Sequence, residues 1–356
     1  MTTPLSQTPG HTSHRFLCFG VGAIGTYIGG SLALSGDSVV FIERAEVAGE
    51  IRRRGLSLEA NGEIRRVPDP LVVDSVRAAL EHGPFDAAIL AVKSFDTAAV
   101  LDEIKPSLAD MPPVLSFQNG VENEPLLAAT LGQGRVIAGT VTTAVGRKGP
   151  GDIVVERLRG IGIATLHPPG AELVSVTAQS GLRSRAYANP AAMKWSKMLT
   201  NLIANASSAI LDMTPAQIFA DPGLYRMEIR QLRETLRVMA AQAIPLVDLP
   251  ATPVRLLAWA VQNLPLAISR PLLARSVGAG RGAKMPSFHI DLYSGRGKSE
   301  VDYLNGAVVR YGKKYHVATP VNQTLNEILS GMTRGEIPRE AYAHQPEKLL
   351  KQIPGA

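Results

Sequence analysis

A chain of 356 residues is longer than one ordinary core and suits two domains of roughly 100–200 residues each. Its 45% hydrophobic and 19% charged residues are those of a folded soluble protein, and no apolar run reaches the ~18 residues needed to span a bilayer. The net charge of +6 invites a nucleic-acid reading, but Arg52-Arg53-Arg54 and Lys313-Lys314 are short clusters without interleaved aromatics. Neither a nucleic-acid nor a membrane partner is therefore expected. The positive balance suits small anionic ligands, or else a solvated basic surface. The single cysteine, Cys18, excludes an internal disulfide, fits a reducing cytoplasm, and reads as core packing in the middle of a strand.

Residues 1–14 are polar and lack a basic start followed by an apolar run, so they read as a disordered tail and not a signal peptide. From 15 to 188 short apolar runs alternate with helical patterns. The expected strands are 15–19, 38–42, 86–92, 113–118 and 136–141, with helices such as 97–108 and 122–131 among them. Val-, Ile- and Ala-rich strands alternating with helices predict a parallel sheet covered on both faces. Strands at 152–157 and 160–166 are expected to extend its edge as a hairpin, and Asn61-Gly62 is a turn signal. At Asn189-Pro190 the rhythm turns helical: 190–205, 222–243, 253–263, 299–314 and 320–332, several opening on proline. The fold class expected is α/β: a Rossmann-type parallel-sheet domain at 15–188, then an all-helical domain at 189–337, with 338–356 a peripheral tail.

Gly20-Val21-Gly22-Ala23-Ile24-Gly25 follows the first strand and opens a helix. The first glycine permits the tight turn, the second lets backbone approach a pyrophosphate, and the third lets helix pack on strand. The phosphate would meet unsatisfied N–H groups at the positive helix end. At the end of the second strand Glu43 is placed to bond the ribose 2′-hydroxyl of NAD, and Arg44 to accommodate the 2′-phosphate of NADP. The two signals conflict. Later, Lys197, Asn201 and Asn205 fall at i, i+4 and i+8 on the expected helix 190–205, which stacks them on one face. Such a row is either a solvated face or a set of donors turned into a cleft.

With the glycine motif, Ala91-Val92-Lys93, Gln118-Asn119-Gly120, Trp195-Ser196-Lys197 and the segment 287–306 in this order, the chain resembles ketopantoate reductase from about 16 to 331. The resemblance implies NADPH-linked reduction of a small 2-oxo acid in an interdomain cleft, with NAD a second possible cofactor. It makes Lys197 the catalytic lysine and Glu300 the carboxylate that holds it. Asn119, Asn201, Asn205 and Ser287 become substrate contacts, and Lys93 and Asn119 lie near the cofactor. Asp291 and Asn305 stand behind them. A lysine suits the chemistry, because a cation beside the carbonyl oxygen stabilises the growing charge and delivers a proton. Plainer roles also fit: Glu300 as a helix-start acid, Ser287 as an N-cap, Asn119 as a turn residue, Glu43 as an exposed acid.

The segment 246–284 is longer and more basic than is usual in the family, which leaves room for an altered cleft mouth or a homodimer contact. The stretch 291–300 is one residue longer, at Gly295-Arg296-Gly297, and Asn205 precedes alanine where many members have proline. The competing readings are a relative acting on another 2-oxo or 2-hydroxy acid, and a dinucleotide-binding sensor without turnover. Seven histidines without paired ligand spacing predict no metal, and the elbow motif of a serine nucleophile is missing.

Overall fold

The computed structural model describes residues 13–281 and 284–354, so most of the expected N-terminal tail lies outside the described residues. The chain divides into two compact units. The first holds residues up to Gln118, Asn123–Pro190 and Pro250–Thr252; the second holds Asn119–Glu122, Ala191–Leu249 and the chain from Pro253 onward.

Among the described residues, twelve strands and six helices build the first unit. The strands are β1 Arg15–Phe19, β2 Ser38–Ile42, β3 Leu56–Ala60, β4 Glu63–Val67, β5 Leu71–Val73, β6 Ala87–Leu90, β7 Val114–Ser116, β8 Val136–Val141, β9 Ala144–Gly149, β10 Asp152–Arg157, β11 Ile161–Ala164 and β12 Ser184–Tyr187. The helices are α1 Ala23–Leu34, α2 Ala45–Arg54, α3 Val76–Leu80, α4 Thr97–Ile104, α5 Asn123–Leu131 and α6 Pro168–Gln179. The main sheet runs β12-β11-β8-β7-β6-β1-β2-β5. Its pairs are parallel except β8 with β11. Along β1, Phe16 and Cys18 enter one apolar layer while Leu17 and Phe19 enter the other. Both faces of the strand are thus buried, which is why it reads as an unbroken apolar run.

The hairpin expected of 152–157 with 160–166 does not form. β10 joins a second sheet, β4-β3-β10-β9, whereas β11 pairs antiparallel with β8 in the main sheet. Between them Gly160 takes φ +139, and its carbonyl accepts the Thr142 amide and hydroxyl at 3.0 and 2.9 Å. A Cβ there would come within 2.4 Å of the Arg183 carbonyl. The chain therefore changes sheets where a hairpin turn was expected. The Asn61-Gly62 signal does join β3 to β4, with φ of 52° and 80°, the two positive values of a type I′ turn.

The second unit is helical: α7 Pro190–Leu202, α8 Ala206–Leu211, α9 Pro215–Ala220, α10 Pro222–Ala241, α11 Val254–Asn263, α12 Leu266–Arg281, α13 Ser287–Tyr293, α14 Ala307–Lys314, α15 Pro320–Arg334 and α16 Pro346–Leu350. Two expectations need correction. The helix expected at 190–205 stops at Leu202, and that expected at 299–314 begins with a π-helical turn, Asp302–Gly306. The expected peripheral tail instead packs α16 into this unit, with Leu349 and Ile353 buried. Among the described residues no helix is long and apolar enough to cross a membrane.

Cys18 is fully buried beneath the glycine turn, its Sγ 3.8 Å from the Gly25 carbonyl oxygen. Burial, aided by the charge of Glu43, pushes its thiol up to about 12. The native protein should accordingly be silent to a thiol-specific chromogenic reagent at pH 8 and release one equivalent after denaturation. Rapid native labelling would contradict the core placement.

Candidate functional site

The first unit presents the nucleotide end. Gly20 has φ +89, and its amide donates to the Ile42 carbonyl at 3.0 Å, which fixes the turn against β2. Gly25 allows no side chain: a Cβ would stand 1.9 Å from the Gly20 carbonyl oxygen. Gly22 is the opposite case, with nothing within 4 Å of an added Cβ. Folding of the loop does not demand glycine there, whereas a ligand lying against the backbone would. Gly22 is also the N-cap of α1 and supplies no side-chain cap. The N–H groups of Ala23, Ile24 and Gly25 therefore open a positive helix end suited to a pyrophosphate.

At the end of β2, Glu43 Oε2 accepts the Val21 amide at 3.0 Å and Oε1 accepts the Arg44 amide at 3.2 Å. Glu43 is thus a brace for the glycine turn and not an exposed acid. Its side chain is 16% exposed against 86% for Arg44, whose Nε lies 3.7 Å from Glu43 Oε1. Lys93, half-buried, follows β6 at the start of a short 3-10 turn. Gln118 Nε2 donates to the carbonyls of Val92 and Lys93 at 3.2 and 3.3 Å and to Thr97 Oγ1 at 2.7 Å. Asn123 joins this set through Ser94 at 3.1 Å. In the sequence Gln118 is only a letter of a motif and Asn123 carries no signal; here both brace the segment that carries Lys93.

The second unit carries the residues expected at the chemistry. Lys197 and Asn201 are one turn apart on α7, both half-buried among buried Trp195, Met198 and Leu199. Asn201 Nδ2 donates to Asn119 Oδ1 at 3.0 Å, a contact across 82 residues of sequence. Asn119 belongs to this unit by its contacts, although it follows β7 in the chain.

Asn205 does not continue the row. Ala204 adopts φ +47, the helix breaks, and Asn205 becomes the N-cap position of α8. Glu228, fully buried on α10, accepts the Ala204 amide at 2.8 Å and the Ser207 hydroxyl at 2.6 Å, so the break is satisfied inside the core. Asn205 itself is 4% exposed. Its Nδ2 donates to the Asn201 carbonyl at 3.0 Å and to Ser287 Oγ at 3.3 Å, and its Oδ1 accepts the Phe288 amide at 3.0 Å. Ser287 is the first residue of α13, with Pro286 at the N-cap position, so its expected capping role falls instead to Asn205.

Glu300 is 1% exposed and stands before Val301, the N-cap position of the π turn, whose Asn305 is also fully buried and donates to Asn322 Oδ1 at 3.1 Å. Asp291 sits on α13, half-buried. Arg310 was not foreseen. Its guanidinium donates to both oxygens of Glu122, at 3.0 and 2.6 Å, and to both of Asp302, at 3.0 Å each. Hydrogen bonding to Glu122 above all holds it over its ordinary value. The segment 119–122 is thereby tied at one end to α7 and at the other to α14. No sequence signal links Glu122 to Arg310, 188 residues on.

The contrast of the glycines gives a test. Gly22→Ala should leave the melting temperature within a degree or two and weaken dinucleotide binding at least tenfold by fluorescence titration. Gly25→Ala should lower both. Full cofactor affinity in Gly22→Ala would remove this loop from the binding site.

Residues 16–167 match the family model described as ketopantoate reductase PanE/ApbA, and residues 189–333 match that of its C-terminal part. The chain is 27% identical over 313 residues to the 2-dehydropantoate 2-reductase of Pyrococcus horikoshii, covering 86% of this chain and 94% of that one. It is 26% identical over 324 residues to the enzyme of the same name from Halobacterium salinarum, covering 88% and 97%. Among solved structures it is similar to a PanE/ApbA family ketopantoate reductase from Ralstonia eutropha, with TM-score 0.75, 27% identity, and 90% and 99% of the two chains covered. A D-mandelate dehydrogenase solved with NADH and anilino(oxo)acetate shares the fold, with TM-score 0.73 at 24% identity over 90% and 99%. With family-model matches to both halves in order, the chain belongs to the ketopantoate reductase family of oxidoreductases.

Proposed function

We propose that the protein reduces 2-dehydropantoate to pantoate with NADPH, with Lys197 as proton donor. The observation that carries this reading is the Asn201–Asn119 hydrogen bond one helical turn beyond Lys197, which gathers a cation and two amides on one patch of the second unit. Bound NADPH would supply the hydride to C2 of the 2-oxo acid. As negative charge grows on the carbonyl oxygen, the Lys197 ammonium stabilises it and gives up its proton there, leaving a hydroxyl and a neutral amine. Glu300, a carboxylate only 1% exposed, needs positive or hydrogen-bonding partners in its surroundings; the ammonium of Lys197 is the partner proposed. Asn119 and Asn201 orient the substrate. Ser287, exposed, turns its hydroxyl hydrogen to the substrate carboxylate because Asn205 already donates to its oxygen.

At the cofactor end, the Glu43 oxygens are engaged in holding the glycine turn, while Arg44 projects into solvent just past the end of β2. Arg44 is therefore assigned the 2′-phosphate, and NADH, which lacks that phosphate, serves as the poorer cofactor.

Loss of reduced-nicotinamide absorbance with ketopantoate should be rapid with NADPH and fall by about 10²–10⁴-fold in Lys197→Ala, the range for one general acid, with dinucleotide binding retained. Turnover with another 2-oxo acid but not ketopantoate would keep the chemistry and replace the substrate. Unchanged behaviour of Lys197→Ala would point to a sensor. Separately, Arg44→Ala should raise KM for NADPH about tenfold and leave that for NADH alone, a loss of ~1.4 kcal/mol. A KM for NADPH that does not move would transfer the choice of cofactor to Glu43.

A further inference from the structure

Ser287 opens a helix of only seven residues, α13, which buries one apolar stripe made of Phe288 and Leu292, four positions apart. A single stripe sets how deep a short helix lies and leaves its roll about the axis open. With side-chain ends ~5 Å from a helix axis, a roll of ~10° carries a hydroxyl ~1 Å off its target. Displacements of that size matter where a substrate has to be positioned.

The roll of α13 is fixed from both flanks. Successive helical residues lie ~100° apart, so Ser287 and His289 stand on opposite sides of Phe288. On the Ser287 side Asn205, at the start of α8, donates to Oγ at 3.3 Å and accepts the Phe288 amide at 3.0 Å. On the other side His289 Nε2 lies 2.7 Å from Oδ1 of Asp212, at the end of α8. An ionised carboxylate only accepts, so Nε2 carries the hydrogen. The two ends of one short helix thus hold the two flanks of another.

Both partners of the second tie are themselves held. Asp212 follows α8 in the left-handed region, with φ +51, which aspartate tolerates. The His344 amide donates to the Leu211 carbonyl at 2.7 Å, and His344 Nε2 lies 3.9 Å from Asp212 Oδ2. The His289 ring stacks on Tyr293 with centroids 4.1 Å apart, and Arg339 lies over the Tyr293 ring at 5.3 Å. The C-terminal segment therefore braces the pair.

We propose that His289, held by Asp212, is a positioning residue for Ser287: the pair fixes the roll of α13 and so aims the hydroxyl at the substrate carboxylate. This rests on the role given to Ser287 above. A double-mutant cycle separates it from a merely structural role. His289→Phe keeps a ring against Tyr293 and removes the donor. It should raise KM for the 2-oxo acid about fivefold, the span of one hydrogen bond, and leave KM for NADPH unmoved. In a Ser287→Ala background the same change should add nothing. His289→Gln, whose side-chain amide can donate to the same oxygen, should return KM to near the wild-type value. Asp212→Asn keeps the backbone position and weakens only the acceptor, so a rise of about twofold there guards against a folding defect in His289→Phe. Effects of Ser287→Ala and His289→Phe that multiply would show that His289 acts by another route and would overturn the proposal. So would an unmoved KM in His289→Phe while Ser287→Ala raises it, a result that leaves the reading of Ser287 standing. An unmoved KM in Ser287→Ala would instead remove Ser287 from the site, and the proposal with it.

Discussion

Two carboxylates buried on α10 hold the second unit in the arrangement its candidate site requires. A carboxylate taken out of water is costly unless donors surround it, and each of these has found donors that the fold would otherwise leave stranded. Glu228 takes the amide released where α7 breaks, and Glu234 takes two amides at the start of α15. From Glu234 the polar chain continues: Asn322 Nδ2 donates to it at 2.8 Å, and Asn322 Oδ1 accepts from Asn305 in the π turn. Positions 201–205 and 300–305 are thereby referred to one helix. Removing either carboxylate would leave buried N–H groups without acceptors, a penalty of about 1–3 kcal/mol for each group.

Much of the first unit was legible because burial on both faces writes itself into composition. β1, β2 and β8 have the bounds that their apolar runs predicted. The second sheet was not read, and β4 shows why. Its sequence Glu-Ile-Arg-Arg-Val is almost wholly exposed, with Ile64 53% accessible, so no hydrophobic face marks it as a strand. The turn at Asn61-Gly62 was visible while the strands beside it were not. β10 looked like a partner for the next apolar run, because sequence shows that a segment is a strand and not which sheet receives it.

In the site, what is local in sequence was read and what is tertiary was not. The glycine turn and the i, i+4 relation of Lys197 to Asn201 depend on neighbours along the chain. The break before Asn205 depends on Glu228, 24 residues further on, and Ala204 at positive φ carries no sequence mark because alanine ordinarily avoids that region. The π turn is similar: Gly306 admits it, since a Cβ there would meet Asp302 Oδ1 at 2.2 Å, yet a glycine in a helical pattern reads only as a weak point. Arg310, which ties Glu122 to Asp302, joins segments that nothing in the sequence connects.

The break also changes what Asn205 does. On an unbroken helix it would have stood two turns above Lys197 as a third donor facing a substrate. Buried at the N-cap position of α8, it has both amide hydrogens and one lone pair of its oxygen committed inside the protein. Its influence then passes through Ser287. By donating to Ser287 Oγ it occupies one lone pair and leaves the hydroxyl hydrogen to point outward, and by accepting the Phe288 amide it seats the start of α13. An asparagine that donates to two acceptors and accepts from one donor in this geometry has no isosteric substitute: aspartate cannot donate to the hydroxyl, and leucine can do neither. The residue type needed for direct substrate contact and the one needed for this support are the same, so the motif match alone could not tell the two roles apart.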